Sequence, residues 1–99
     1  MYNRKNESVD RLFAAVLKLK TVEECYLFFE DICTIKEVDE MARRLDVAKY
    51  LSEGKNYQEI STLTGASTAT ISRVNKCLMY GGGGYATVLD KKENGETKQ

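Results

Sequence analysis

The segment Tyr57–Leu78, YQEISTLTGASTATISRVNKCL, decides how this chain folds. A single glycine, Gly65, separates two short segments in which apolar residues recur with the spacing of a helix. Glycine tolerates positive φ, so it suits a tight turn between two helices. The second segment is rich in threonine and serine, which are weak helix formers. The pattern predicts a helix-turn-helix, and an ordinary hairpin of two helices is the alternative.

The residues around Gly65 have the spacing that this motif requires. Ser61, four residues before the glycine, is small enough for two helices to approach closely, and Ser67 lies where the second helix needs its N-cap. The apolar residues expected in the small core between the helices are Ile60, Leu63, Ala66, Ile71 and Val74. Because all these positions agree, we place the motif at residues 56–79.

The hydroxyl-rich second segment has the composition expected of a recognition helix. In a helix-turn-helix this element lies in the major groove, where its first turns approach base edges and phosphates. Short side chains let the backbone come close, and hydroxyl and methyl groups offer contacts to bases and phosphates. The candidate DNA-contacting residues of this segment are Ser67, Thr68, Ala69, Thr70, Ser72, Arg73 and Lys76. The alternative is a threonine-rich face that contacts only solvent.

Three helices are predicted before the motif. Ser8 is a candidate cap for the first, whose apolar stripe comprises Val9, Leu12, Phe13, Val16 and Leu17. A hydroxyl or amide residue followed three positions later by glutamate predicts a capping box at residues 21–24, 34–37 and 56–59. The third helix is expected to end near Gly54, with Val38, Met41, Ala42, Leu45, Ala48 and Leu51 facing inward. Residues 8–53 are the expected dimerisation helices.

Composition favours a single all-α domain spanning residues 1–90. The chain of 99 residues has no proline, and its 15 basic residues balance its 15 acidic ones. Three cysteines without paired spacing and the absence of histidine argue against a disulfide framework or a zinc site. We expect three free, half-buried thiols and no cofactor. The sequence has no membrane-spanning run, and the polar start MYNRKNES does not resemble a signal peptide, so we expect a soluble, cytoplasmic protein.

The pattern changes after Leu78. Four consecutive glycines, Gly81–Gly84, cost too much backbone entropy to lie inside a helix and predict a flexible joint rather than a phosphate-binding loop. A short turn of helix is expected at Tyr85–Leu89. The final residues, 91–99, are polar with mixed charge and predict a mobile tail.

The segment from Phe13 to Tyr85 resembles the Trp repressor superfamily, in particular its small YerC/YecD branch. GASTATISRVNKCL carries most of the resemblance, together with RRLDVAKYL and the following EGK-N-YQEI. The resemblance implies an intertwined helical homodimer and a transcriptional regulator that binds palindromic operator DNA. It also adds Gln58, on the first motif helix, to the DNA-contacting residues.

The resemblance further implies an effector pocket. The Trp repressor holds tryptophan between two arginines, which correspond to Arg44 and Arg73, and Thr34 corresponds to a threonine near that pocket. Two residues depart from the pattern, since Val74 replaces a glycine that leaves room for the ligand and Cys77 replaces a serine. A branched side chain and a weakly bonding thiol predict a protein that is indifferent to tryptophan, or that takes a smaller effector.

The sequence therefore predicts a sequence-specific DNA-binding transcriptional regulator, with double-stranded DNA and a second copy of the chain as partners. One alternative is an adaptor that keeps the fold but binds protein, which should expose apolar residues on the recognition helix. Another is a small enzyme, but general acid–base chemistry needs a titratable group in a pocket. Without histidine the candidates are scattered carboxylates, and capping explains Glu37 and Glu59.

Overall fold

The structure, a computed structural model, describes residues 6–89, and all the regular secondary structure in this range is α-helical. The six helices are α1 (Glu7–Val16), α2 (Val22–Ile32), α3 (Ile35–Ser52), α4 (Tyr57–Thr64), α5 (Thr68–Tyr80) and α6 (Gly84–Leu89). This confirms the all-α fold class. The chain divides into two compact units, whose described parts are residues 6–39 and 40–89. The predicted tail at 91–99 lies outside the described residues.

The first helix begins earlier than predicted. Asn6, not Ser8, is the N-cap, and its side-chain Oδ1 accepts a hydrogen bond from the Val9 amide at 2.8 Å. Ser8 lies inside the first turn. Asparagine is as good an N-cap as serine. The negative charge of Glu7, the next residue, interacts favourably with the positive end of the helix dipole. The helix therefore extends to the earlier cap.

Two of the three predicted capping boxes are complete. The Thr34 hydroxyl accepts from the Glu37 amide at 3.1 Å, and the Glu37 carboxylate accepts from the Thr34 amide at 2.8 Å. Asn56 and Glu59 exchange the same pair of bonds at 2.9 and 3.0 Å. Each box satisfies two amides that the helix itself leaves without partners. These contacts confirm the predicted starts of α3 and α4.

The third box differs in its return bond. The Thr21 hydroxyl accepts from the Glu24 amide at 3.0 Å, as predicted. The Glu24 carboxylate, however, accepts from the Lys20 amide at 2.7 Å, one residue before the cap. The start of α2 is thus confirmed. The Glu24 carboxylate, however, binds the amide of Lys20, before the helix, and not the amide of the cap residue Thr21.

The unit of residues 6–39 buries no residue in the single chain. In the predicted α1 stripe, Val9 and Val16 are half-buried, but Phe13 is 54% and Leu17 83% exposed. The large exposed apolar residues of this unit are Leu12, Phe13, Leu17, Val22, Tyr26, Leu27, Ile32 and Ile35. An apolar surface of this extent on a small unit is typical of an interaction face.

The buried core lies entirely in the unit of residues 40–89. It comprises Val47, Ala48, Ile60, Ala66, Ile71 and Val74, and burying a large apolar side chain contributes about 1.5–3 kcal/mol. The predicted inward face of α3 is partly confirmed, because Ala48 is buried and Leu51 packs against the core. It was wrong for Met41, Ala42 and Leu45, which are exposed in the single chain, and it missed the fully buried Val47. The apolar residues of α3 lie on two sides of the helix, and only the side bearing Val47 and Ala48 faces this core.

Leu63 was also placed in the core by prediction, but its side chain is 56% exposed. The half-buried Ser61 and Thr64 flank Ile60 on the inner side of α4. Ile60 is the only residue of α4 that the core buries. Tyr57 also packs against the core from this helix, so its inner face combines Tyr57 and Ile60 with two hydroxyl residues.

The turn of the motif has the predicted conformation. Gly65 adopts φ +78°, in the left-handed region, and its amide donates to the Ser61 carbonyl oxygen at 2.8 Å. A Cβ at Gly65 would meet nothing within 4 Å, so the backbone conformation alone requires glycine here. Ser67 is the N-cap of α5, as predicted.

The glycine run separates α5 from α6, and its last residue belongs to α6. Gly81 caps α5, and its amide donates to the Cys77 carbonyl oxygen at 3.0 Å. A Cβ at Gly81 would collide with that oxygen. Gly83 has φ +89°, and Gly84 opens α6, one residue earlier than expected.

The three cysteines differ in exposure. Cys33 is half-buried, but Cys25 and Cys77 are exposed, so the prediction of three half-buried thiols was wrong for two of them.

Among α1 to α6, no helix combines the length and the apolar character that crossing a bilayer requires.

Candidate nucleic-acid interface

The eight predicted DNA-contacting residues all lie on α4, on α5 or at the cap of α5. The exposed ones are Gln58, Ser67, Thr68, Ala69, Arg73 and Lys76, and the half-buried ones are Thr70 and Ser72. On the inner side of α5, Ile71 and Val74 belong to the buried core. The helix therefore anchors one side in the core and exposes short polar and basic side chains on another.

Two of the hydroxyls have structural roles. The Ser67 hydroxyl accepts from the Thr70 amide at 3.1 Å and donates to the Thr70 hydroxyl oxygen at 3.2 Å. Within residues 6–89, the hydroxyls of Thr68 and Ser72 form no hydrogen bond. Thr68 and Ser72 thus keep their full bonding capacity for an external group, whereas Ser67 serves mainly as the cap.

The first turn of α5 differs from those of the preceding helices in charge. Each of α1 to α4 has acidic residues there, namely Glu7, Asp10, Glu23, Glu24, Glu37 and Glu59. The first turn of α5 has none. The positive end of its dipole, with amides that lack intrahelical partners, is therefore not neutralised by a neighbouring carboxylate. Such an end is complementary to phosphate.

The turn before α5 is held by side-chain hydrogen bonds. The Ser61 hydroxyl donates to the Ala66 carbonyl oxygen at 2.9 Å. The Thr64 hydroxyl donates to the Ile60 carbonyl oxygen at 2.7 Å and accepts from the Ala66 amide at 3.1 Å. Sequence reasoning selected Ser61 for its small size and missed these bonds. They fix the start of α5 relative to α4.

The residues of the predicted effector pocket fall into both units. Thr34, in residues 6–39, caps α3 through the bond to Glu37 described above. Arg44, in the other unit, lies near Glu40 on its own helix, with Nε 3.6 Å from the carboxylate Oε2. Val74 is 1% exposed and belongs to the core. Cys77 is exposed on α5.

Sequence reasoning missed one residue beside this group, Tyr85 at the start of α6. Burial raises the pKa of its phenol, the nearby Cys77 thiol raises it further, and the charges of Arg44 and Arg73 lower it. The ring also packs against the buried core. Tyr85 therefore brings an aromatic side chain from the chain itself to the neighbourhood of Arg44, Arg73 and Cys77.

Comparison with known proteins gives a consistent result. Residues 7–93 match the family described as Trp repressor protein. The chain is 51% identical over 94 residues to the uncharacterized protein YerC of Bacillus subtilis strain 168, covering 95% of this chain and 90% of YerC.

Two crystal structures are similar along most of the chain. One is a TrpR-like protein from Eubacterium eligens, with a TM-score of 0.87, 47% identity and 96% of each chain covered. The other, provisionally named a Trp repressor, is from Staphylococcus aureus, with a TM-score of 0.85, 45% identity and 88% of this chain and 87% of that chain covered. The fold is thus that of Trp repressor-like proteins.

Proposed function

Because the chain belongs to the Trp repressor family, we propose that it is a sequence-specific DNA-binding transcriptional regulator, a repressor that binds palindromic operator DNA as a homodimer. The observation that carries the proposal is the outer face of α5. Its first turn has no acidic residue and displays short side chains, while Arg73 and Lys76 are exposed further along. This combination suits a helix end that approaches phosphates and base edges closely.

In this proposal α5 enters the major groove. The Thr68 hydroxyl contacts a phosphate or a base edge, and the Ala69 methyl suits the methyl group of thymine. Arg73 and Lys76 neutralise phosphates, with Arg73 also able to reach the O6 and N7 of guanine. Gln58, exposed on the first turn of α4, contacts the DNA backbone beside α5. Ser67 holds the helix start in shape and contributes less to binding than its neighbours.

The proposed dimer uses the unit of residues 6–39. Its apolar side chains are exposed in the single chain, and a second copy would cover them across a twofold axis. The symmetry would place two α5 helices about one DNA turn apart, roughly 34 Å, so that each reads one half of a palindrome.

We further propose that DNA binding does not need tryptophan. The support is the aromatic ring of Tyr85 near Arg44, Arg73 and Cys77, together with the branched Val74 in the core. A ring supplied by α6 would occupy space that an aromatic effector would need. Any effector would then have to be smaller than tryptophan.

The adaptor alternative has less support. It expects exposed apolar residues on the recognition helix, but the exposed residues on the first turns of α5 are Thr68, Ala69 and Arg73. The large exposed apolar residues of α5 are Met79 and Tyr80 in its last turn, 62% and 79% exposed. They lie away from the helix start that the proposal assigns to DNA.

The decisive experiment is selection of binding sites from random double-stranded DNA with the full-length protein. We expect recovery of a palindrome whose half-sites lie about 10 base pairs apart, centre to centre. The recovered duplex should bind more tightly than a scrambled duplex of the same composition at the same salt concentration. Equal affinity for the two duplexes, or no enrichment, would rule out a sequence-specific regulator and favour the adaptor.

A further inference from the structure

Arg43, on α3, makes two hydrogen bonds that link α3 to the motif. Its Nε donates to the carbonyl oxygen of Thr64 at 3.2 Å, and its Nη1 donates to the Glu40 carboxylate at 2.8 Å. Arg43 is half-buried, and the bond to Thr64 joins residues 21 positions apart in sequence. Thr64 is the last residue of α4 and directly precedes Gly65. Arg43 therefore reaches the turn that separates α4 from α5.

The Thr64 carbonyl is one of the last groups of α4 that the helix cannot satisfy itself. Another of these end carbonyls, that of Ser61, accepts from the Gly65 amide, and the Thr64 hydroxyl donates to the Ile60 carbonyl oxygen. The last turn of α4 contains no basic residue. Arg43, on α3, thus supplies a positive charge that interacts favourably with the negative end of the α4 dipole.

Glu40 holds the guanidinium in place. One carboxylate oxygen accepts from Arg43 at 2.8 Å, and the other lies 3.6 Å from the Nε of Arg44. With Nη1 bound to Glu40, the planar guanidinium directs its Nε–H toward Thr64. A lysine has no such planar fork and cannot form both bonds in this geometry.

We propose that Arg43 is a positioning residue that fixes the helix-turn-helix against α3 and thereby sets the orientation of α5 for reading DNA. Glu40 is its orienting partner. The inference rests on the proposed DNA-binding function and assigns no DNA contact to Arg43 itself. Loss of the clamp should loosen the turn at Gly65 and spread the orientations of α5. Sequence-specific contacts need accurate alignment, whereas contacts to the phosphate backbone tolerate misalignment.

The test compares Arg43→Ala with the parent protein on two duplexes, the selected site and a scrambled sequence, over a range of salt concentrations. We expect about tenfold weaker binding to the selected site, the size of one lost charge-assisted hydrogen bond, and unchanged binding to the scrambled duplex. The salt dependence should stay the same. If Arg43 were a phosphate contact, both affinities would fall, and each half-site would lower the slope of log K against log salt by about 0.9.

Glu40→Gln distinguishes positioning from electrostatic attraction, because the two predict opposite changes in DNA affinity. Removing a negative charge should strengthen DNA binding if electrostatic attraction alone mattered. Positioning predicts several-fold weaker specific binding instead, because glutamine offers Arg43 only a neutral hydrogen bond in place of the charge-assisted one. Lys49→Ala is the matched control for Arg43→Ala, since it removes one positive charge from α3 and the exposed ion pair with Glu53 without touching the motif.

The outcomes are distinguishable. Specific binding that falls in Arg43→Ala and Glu40→Gln, but not in the control, supports the inference. Parent-like specific affinity in both variants, or a reduced salt slope in Arg43→Ala, overturns it. If Arg43→Ala melts below the assay temperature, Arg43→Lys replaces it, with the same expected loss of specificity. Failure of the parent protein to select any duplex would instead refute the proposed function.

Discussion

The phenol of Tyr85, on α6, lies close enough to the guanidinium of Arg73, on α5, for that charge to lower the pKa of the phenol. Burial and the Cys77 thiol act in the opposite direction, and the net effect is a raised pKa. The last helix is thus electrostatically coupled to the helix proposed to read DNA. This arrangement leads to two predictions for Tyr85, one on stability and one on tryptophan binding.

The first prediction is a loss of stability at alkaline pH. The folded-state pKa of Tyr85 lies above its ordinary value of 10.0, so its contribution is fully present below pH 10.0 and is lost as pH rises through the folded pKa. We would measure the free energy of unfolding in urea for the parent protein and for Tyr85→Phe. The difference between the two should be constant below about pH 10, and above it the parent protein should lose stability relative to Tyr85→Phe. Phenylalanine keeps the ring and removes the ionisation. Parallel pH profiles for the two proteins would contradict the burial of this phenol.

The second prediction concerns tryptophan. We expect calorimetric titration of L-tryptophan, up to millimolar concentration, to give no saturable heat and no tighter operator binding. The same titration into Tyr85→Ala tests whether the ring is the obstacle. Heat in this variant alone would identify Tyr85 as the occupant, and silence in both would show that removing the ring does not open a tryptophan site. Saturable heat with the parent protein, accompanied by tighter DNA binding, would restore the corepressor mechanism.

Thr68 offers a direct test of groove reading. Thr68→Leu replaces an exposed hydroxyl with a bulkier apolar group on the first turn of α5, and should weaken specific binding by about 1–3 kcal/mol without unfolding the domain. Thr87→Leu makes the same substitution at an exposed position of α6, where it also removes a hydrogen bond to the Gly83 carbonyl oxygen, and should bind like the parent protein. Binding can be measured by fluorescence anisotropy on the selected duplex, with circular dichroism to verify folding. Parent-like affinity in Thr68→Leu would show that this position does not contact DNA.

The homodimer can be tested through its exposed apolar face. Sedimentation equilibrium at micromolar concentration should give about 22.4 kDa, twice the chain mass of 11.2 kDa. Phe13→Glu places a charge in the proposed interface and should shift the protein toward monomer, because burying an unpaired carboxylate is costly. Arg11→Gln changes the net charge by the same amount on the opposite side of α1 and should leave the mass unchanged. A monomeric parent protein would eliminate the intertwined dimer.

Local rules predicted much of this fold. The boxes at Thr34 and Asn56, the positive φ of Gly65 and the cap at Ser67 each depend on interactions between residues a few positions apart. Such interactions are encoded in short sequence patterns. The position of Asn6 shows the limit of this reasoning, since two adequate caps near one helix start cannot be ranked from spacing alone.

The incorrect or missing predictions concern contacts between residues that are far apart in the sequence. Whether Val47 or Leu45 faces the core depends on where α4 and α5 pack, and both residues suit an apolar face. The bond from Arg43 to Thr64 spans 21 positions and follows no local pattern. Tyr85 reaches its surroundings only because the chain turns at Gly81–Gly83. The candidate site was therefore predicted at the recognition helix but not in the residues that support it.

The location of the core has a consequence for the newly made protein. All six buried residues lie in residues 40–89, whereas synthesis begins at the N-terminus. Residues 6–39 consequently leave the ribosome first, with Phe13, Leu17 and their apolar neighbours in water. This apolar face stays exposed from translation until a second copy covers it in the proposed dimer. Pairing of chains made side by side on one messenger RNA would shorten this exposure.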